Sequence, residues 1–293
     1  MESCGGANYW ARMFQRSGHT VKLIGPQFVK PFVKTNKNDA NDAEAIVEAA
    51  SRPSMHFVPI KQVEQQDIQS LHRIRSRVVR SRTALINEIR GLCLEYGIVL
   101  TAGVSRVKPA LCAAIACRNN ELTHASRECM HDLYEELVDI EARLKKLDGR
   151  ICQLCRQDER CKRLLKIPGV GELTATAIVA AIQNPGEFRN GRHLSAWLGL
   201  VPRQSSSGNK QILLGISKRG DRYLRTLLIH GARSVLSHHK DKDNAYARWV
   251  GRKKSALSHN KAAVAIANKN ARIIWSMLKT GEDFNYGTQT AAA

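Results

Sequence analysis

Aromatic side chains are scarce in this chain of 293 residues, at 5%. That argues against a broad platform that stacks successive bases on many rings. Acidic residues are outnumbered: 26 Asp and Glu stand against 46 Lys and Arg, a formal net charge of +20. Such an excess repels itself unless a polyanion offsets it. Nucleic acid is the partner this indicates, because neutralised phosphates release condensed counterions. A generic basic protein is the plainer alternative. No apolar run approaches the length of a membrane span. Met1-Glu2-Ser3-Cys4-Gly5-Gly6 has neither the basic nor the apolar region of a secretory signal. These absences indicate a cytoplasmic protein with no membrane partner. The eight cysteines lack the spacing of a disulfide framework. Cys152-x-x-Cys155 with Cys161 invites zinc, but no Cys or His completes a ribbon or finger pattern. Reduced thiols are the expected state.

What is present indicates a folded, mainly α protein with a small α/β part. Residues 1–60 read as that part: a helix over Tyr9–Arg16, a short strand over Thr20–Ile24 stopped by Gly25-Pro26, and a helix from about Asn38 to Ala50. The last of these is expected to bury Ala43, Ile46, Val47 and Ala50. Residues 61–160 read as a helical arm. In the first long helix, about 63–96, Leu71, Val78, Leu85 and Leu92 recur every seventh residue. Its solvent faces are expected to carry Arg73, Arg75, Arg77, Arg80, Arg82 and Arg90. In the second, about 126–157, Met130, Leu133, Leu137, Ile140, Leu144, Leu147, Ile151 and Leu154 alternate by three and four. That is a coiled-coil pattern, and the favoured arrangement is an antiparallel arm. An ordinary helical hairpin is the plainer reading. The connection, 101–125, is weakly patterned. Residues 161–285 read as a basic helical domain, and 286–293 as a tail.

Four constellations carry possible chemistry. Ile167-Pro168-Gly169-Val170-Gly171 before a helix over Glu172–Ala181 fits a helix-hairpin-helix, in which Gly169 and Gly171 let backbone N–H groups approach a phosphate. A plain αα-turn is the alternative. Asp39 and Asp42 share one face of a helix start. They suit a hard cation equally well as they suit the helix dipole. Ser205-Ser206-Ser207-Gly208 is either a flexible loop or an exposed nucleophile, with Lys210, Lys218, Arg219, Arg222 and Arg225 as the cations that bind a DNA phosphate. Arg248, Arg252, Lys253, Lys254, Lys261, Lys269 and Arg272 form a C-terminal basic surface that favours phosphate contact, while Trp249 and Trp275 are expected to pack the core.

Several segments together resemble the insertion-sequence family 110 transposases (the 110/116/902 group), which also include site-specific DNA invertases. They are Glu2-Ser-Cys-Gly, Lys37 to Ile46, Arg82 to Arg90, Ile167 to Gly171, Ala196 to Arg203, Ser206 to Gly208, Ile216 to Arg225 and Ala267 to Arg272. They run in the family's order across nearly the whole chain. The resemblance implies a RuvC-like, ribonuclease-H-like DEDD domain over 1–60, a coiled-coil arm over 61–160, and a C-terminal transposase domain with an essential serine. Residue by residue, Glu2, Asp39 and Asp42 match metal-binding carboxylates for Mg²⁺. Ser207 matches the serine, with Ser206 its neighbour left open. The implied reaction cuts and rejoins DNA through a phosphoserine link, guided by a bridge RNA, in a homodimer or homotetramer. The family's first Asp lies on a strand well before the Glu. This chain starts one residue before that Glu, so a truncated domain with three of four ligands, and weak or absent catalysis, is expected. The alternatives are an invertase of the same family and a non-catalytic DNA- or RNA-binding protein.

Overall fold

The computed structural model describes residues 1–34, 38–208, 210–239 and 244–287. Their contacts divide the chain into two units, Met1–Asp67 and Ile68–Ala293.

The first unit is built on a minimal sheet. β1 (Leu23–Ile24) pairs antiparallel with β2 (Phe57–Val58), and Glu2 bridges Ile24 in parallel on the other side. The bridge is made by Ser3 N–H donating to Ile24 at 2.7 Å and Ile24 N–H donating to Met1 at 2.9 Å. The strand expected over Thr20–Ile24 is thus shorter than read. α1 (Ala7–Arg16) buries only Ala7 and Ala11 and turns Tyr9, Trp10, Met13 and Phe14 to solvent. A single turn, α2 (Pro26–Val29), leads towards α3 (Asp39–Ser51), whose N-cap Asn38 accepts from Asn41 N–H at 2.7 Å. Lys37, in the segment that resembles the family, lies outside the described residues.

The buried face of α3 differs from the expected one. Ala45 and Ala49 are buried against Ile24 and Val29, Ile46 is half-buried, and Ala43, Val47 and Ala50 are exposed. Small side chains allow the helix to lie close to the short strand. The face expected from Ala43, Ile46, Val47 and Ala50 is therefore offset from the buried one, with Ile46 at their shared edge.

α4 (Val63–Glu95) begins in the first unit and runs into the second, where α6 (His124–Gln157) lies antiparallel to it. Leu85, Ile86, Ile89 and Cys93 pack near Met130 and Leu137, and Val78 packs with Leu144 and Leu147. Arg75 pairs with Asp148 along the same seam. The seven-residue repeat of α4 does not stay buried to its end: Leu92 is exposed and Cys93 is buried instead. A helix of 3.6 residues per turn drifts about 20° per heptad, which moves the contact line onto the neighbouring position. The arginines also divide. Arg75 is tied to Asp148, and Arg90 donates to the carbonyls of Thr101 and Gly103, both at 3.2 Å, whereas Arg73, Arg77 and Arg80 face solvent. The weakly patterned connection contains a helix, α5 (Val104–Ala116), whose Val107 and Leu111 are fully buried against the pair.

After α6, Asp158 caps α7 (Glu159–Leu164), and the chain continues through α8 (Glu172–Ala181), α9 (Gly191–Trp197), the strands β3 (Pro202–Gln204) and β4 (Leu213–Ile216), α10 (Arg222–Ser237), α11 (Ala245–Ala256) and α12 (His259–Thr280). α12 is the centre, packed on α10, α9 and α11. Its Ala262, Ala263, Ile266, Ala267, Ala271 and Ile274 are fully buried. Cys155 and Cys161 belong to this core, and burial raises both thiols above the ordinary range, which keeps them protonated.

His72 joins α4 to this domain. It is 4% exposed, with Nε2 3.0 Å from Thr176 Oγ1 and Nδ1 3.0 Å from Tyr223 Oη. Thr176 donates its own proton to the Glu172 carbonyl at 2.7 Å, so it accepts from Nε2–H, and Tyr223 donates to Nδ1. Burial, with a smaller contribution from Arg75, pushes the His72 pKa down from 6.5 to about 4. The unfolded chain therefore binds an extra proton between those values, and the stability His72 contributes, fully present above pH 6.5, is lost as pH falls through 6.5 towards 4. Chemical denaturation at pH 7 and pH 5 is expected to differ by about 2 kcal/mol more in the parent than in His72→Gln.

Candidate functional site

Ser207 stands at the tip of a hairpin. β3 and β4 pair antiparallel with Pro202 opposite Ile216 and Gln204 opposite Leu213, and an irregularity lies between the two pairs. Pairing continues past the strands: Ser205 N–H donates to Ile212 at 2.9 Å, and Ser207 and Lys210 exchange backbone bonds of 3.3 and 3.1 Å. Gly208 has φ 54°, the left-handed region that a tight primed turn requires. Asn209 lies outside the described residues. Ile212, Leu213 and Leu214 are exposed, so the hairpin projects from the core.

The two serines have different environments. Ser206 Oγ accepts from Gln204 Nε2 at 3.0 Å and from Ile212 N–H at 3.3 Å, which ties it into the hairpin. Ser207 is exposed, and its hydroxyl makes no hydrogen bond among the described residues. Lys210 is its cross-strand neighbour. Lys218, Arg219 and Arg222 are exposed but follow the hairpin's base. With a strand rise near 3.3 Å per residue, the base is roughly 15–20 Å from the tip.

The base is held by close backbone contact. Ser217 N–H donates to Val201 at 2.8 Å and Lys218 N–H to Gly199 at 3.2 Å. Gly199 and Gly220 both have positive φ, and a Cβ on Gly220 would sit 1.8 Å from the Trp197 carbonyl oxygen. Lys218 itself adopts φ 55°, held there by this packing. Arg225 differs from its expected role. It is 8% exposed and donates from Nη1 to the carbonyls of Leu198 and Arg219 at 3.0 and 2.9 Å. As placed it braces the turn and reaches no solvent phosphate. Its guanidinium satisfies carbonyls distant in sequence, which a reading of charge runs has no means to detect.

The glycine turn between α7 and α8 is also packed. Gly169 has φ 84°, and a Cβ there would lie 2.7 Å from the Gly231 carbonyl oxygen of α10. Asn270 donates to the Pro168 carbonyl at 2.8 Å and accepts from the Tyr246 hydroxyl at 3.0 Å. Gly169 therefore serves a helix contact. Gly171 is exposed at the N-terminus of α8, with no side chain capping it.

Among the carboxylates, Asp39 and Asp42 share the first turn of α3, exposed and half-buried respectively, and half-buried Glu2 bridges the strand on which α3 packs. Their oxygens are the right donors for a hard divalent ion. They are not gathered for one: among the described residues, the ligand set brought within 4.8 Å is His131, Asp132 and Glu135, exposed on α6. That set lies on one helical face, and His131 also approaches Glu135 at 3.7 Å as an ordinary i,i+4 pair. Trp275 packs as expected, donating to the Pro185 and Phe188 carbonyls at 3.0 and 3.2 Å. No helix among the described residues is long and apolar enough to cross a membrane.

Known proteins match both parts of this arrangement. The sequence profile of the Transposase IS116/IS110/IS902 family covers residues 161–248, and the DEDD transposase profile of the IS110 group covers residues 1–98, which points to a divalent-metal site in that segment. A Pseudomonas aeruginosa protein named "Probable family 20 transposase" is 51% identical over 95% of this chain and 82% of its own length. The Coxiella burnetii transposase for insertion sequence element IS1111A is 49% identical over 98% of this chain and 79% of its own. A third relative, the transposase for IS1328 of Yersinia enterocolitica, is 40% identical over 97% and 84%. The chain belongs to the IS116/IS110/IS902 family of insertion-sequence transposases, enzymes that cut DNA strands and transfer them.

Proposed function

We propose that this transposase breaks DNA with Ser207 as its nucleophile. The observation that supports it is the contrast at the hairpin tip: Ser207 presents an exposed, uncommitted hydroxyl, whereas the Ser206 hydroxyl is held by Gln204 and Ile212. In the step proposed, Ser207 Oγ attacks the scissile phosphorus. The Oγ–P bond forms, the P–O3′ bond breaks, and the departing O3′ takes up a proton. One phosphodiester replaces another, so a later attack by a free 3′-hydroxyl restores the DNA strand and releases the serine. Lys210 is the cation nearest this chemistry; Lys218, Arg219 and Arg222 hold DNA at the hairpin's base, and Arg225 positions them. Gly171, at the uncapped start of α8, is a further phosphate contact of the helix-hairpin-helix kind.

Glu2, Asp39 and Asp42 are the carboxylates that would hold a divalent ion, Mg²⁺, once drawn together; an ion held there would neutralise phosphate charge. Asp39→Asn is expected to abolish the rise in melting temperature that millimolar Mg²⁺ gives the parent; an equal rise in both would remove Asp39 from the ligand set. The α4–α6 arm serves as a coiled-coil element for assembly into a homodimer or homotetramer, and target choice is delegated to a bridge RNA. The serine reading is tested by capture of DNA carrying the gene's own flanking sequences. The parent forms a denaturant-resistant protein–DNA adduct, and Ser207→Ala does not. Equal adduct from both proteins, or none from the parent, overturns the reading in favour of a protein that only binds nucleic acid.

A further inference from the structure

The C-terminal basic surface is concave, and at one edge it reaches Leu200, Pro202 and Ile216 at the base of the β3–β4 hairpin. Two cavities, of 870 and 1210 Å³, share Trp249, Arg252, Lys269, Ile273 and Asn285 as lining residues. Trp249 is therefore their common wall, on α11, with Lys269 facing it from α12. The larger cavity adds Arg192, Lys261 and Arg272, and the smaller adds Arg248 and Lys254. Against these cations stand two acids, Glu282 and Asp283, and Asp283 is already paired with Lys166.

Lys269 is the informative residue. Its ammonium lies 4.4 Å from the centre of the Trp249 ring, and Lys253 lies 5.8 Å from it. No carboxylate among the described residues pairs with Lys269. Burial, then Arg272 and Arg252, lower its pKa. A part-buried ammonium pressed towards other cations is an arrangement that an anion relieves. The size of the cleft narrows the anion. A simple phosphate ion would leave most of 1210 Å³ empty, and a rigid duplex cannot place a base beside a tryptophan inside a cavity. A single strand can do so while its phosphates follow the cations. We propose that this cleft binds a segment of single-stranded polynucleotide, with a base against Trp249 and the adjoining phosphates held by Arg252, Lys261 and Lys269. The site extends the DNA-handling reading without depending on Ser207.

The test uses the full chain carrying Ser207→Ala, so that no covalent adduct interferes. Fluorescence anisotropy follows a labelled single-stranded DNA 12-mer, the RNA of the same sequence and the corresponding DNA duplex. Lys269→Gln is expected to weaken single-strand binding at least about fivefold at low salt and to reduce the salt slope by about 0.7, with duplex binding changed less than about twofold. Trp249→Phe, which keeps an apolar ring in the core, is expected to lose most of the tryptophan quenching that the strand causes. Melting temperatures within a few degrees of the parent show that both variants are folded. A loss seen with only the DNA or only the RNA strand supports the proposal and names its source. Single-strand binding within about twofold of the parent in both variants overturns it, as does an equal loss for duplex and single strand. Adduct formation by the Ser207 parent is scored separately, so the cleft and the serine reading fail independently.

Discussion

Gly220→Ala is expected to unfold much of the C-terminal unit at moderate temperature. Two penalties combine. The residue has φ 76°, where a Cβ costs about 1 kcal/mol. The added methyl would also lie 1.8 Å from the Trp197 carbonyl oxygen and 3.1 Å from its carbon. Both are backbone atoms, so no side chain can swing aside. The loop must lift, which breaks the bonds from Ser217 to Val201 and from Lys218 to Gly199 and strands the Arg225 guanidinium. A loss of at least about 4 kcal/mol follows, with a melting temperature lower by roughly 10 °C. Gly208→Ala is the control: φ is again positive, at 54°, but nothing lies within 4 Å of the new methyl. It is expected to cost about 1 kcal/mol. Comparable losses from the two substitutions, by thermal denaturation, would show that the close packing of this loop has been misassigned.

Ser207→Ala is expected to leave that stability unchanged and to abolish the protein-linked DNA cleavage of the parent, however slow, since removing a nucleophile removes the covalent route altogether. Ser206→Ala has the opposite profile. It loses a hydroxyl that accepts from Gln204 and Ile212, loosens the hairpin, and retains measurable cleavage. Ser207→Cys is the informative intermediate. A thiol in the same exposed position is a competent nucleophile, so slow cleavage with a thiol-linked adduct is expected. These three variants, assayed on one DNA substrate, separate a chemical role at 207 from a conformational one at 206.

The long elements were legible because their signals are local and repeated. The 4-3 alternation from Met130 to Leu154 predicts α6 within two residues at its start, where Thr123 rather than a later residue forms the cap. α5 was not legible, since Pro109 inside it reads as a breaker and its burial comes from Val107 and Leu111 meeting partners far along the chain. The candidate site divides in the same way. An exposed serine before a glycine is visible as a turn in the sequence. The inward course of Arg225, the crossing of Gly199 and Gly220, and the link from His72 to Tyr223 join residues 6 to 151 positions apart. Nothing in the local pattern marks them. Trp249 carries a mixed lesson: it packs on the core as expected, yet it also lines a cleft that only the meeting of α11 and α12 creates.

The most direct test of the serine mechanism is mass spectrometry of the protein after incubation with DNA carrying the gene's own flanking sequences and Mg²⁺, followed by nuclease and protease digestion. The account predicts a nucleotide remnant joined through phosphate to the peptide containing Ser205, Ser206 and Ser207, with fragmentation placing it on Ser207. A remnant on Ser206 or on another residue, or DNA cleavage with no protein-linked nucleotide at all, would contradict it.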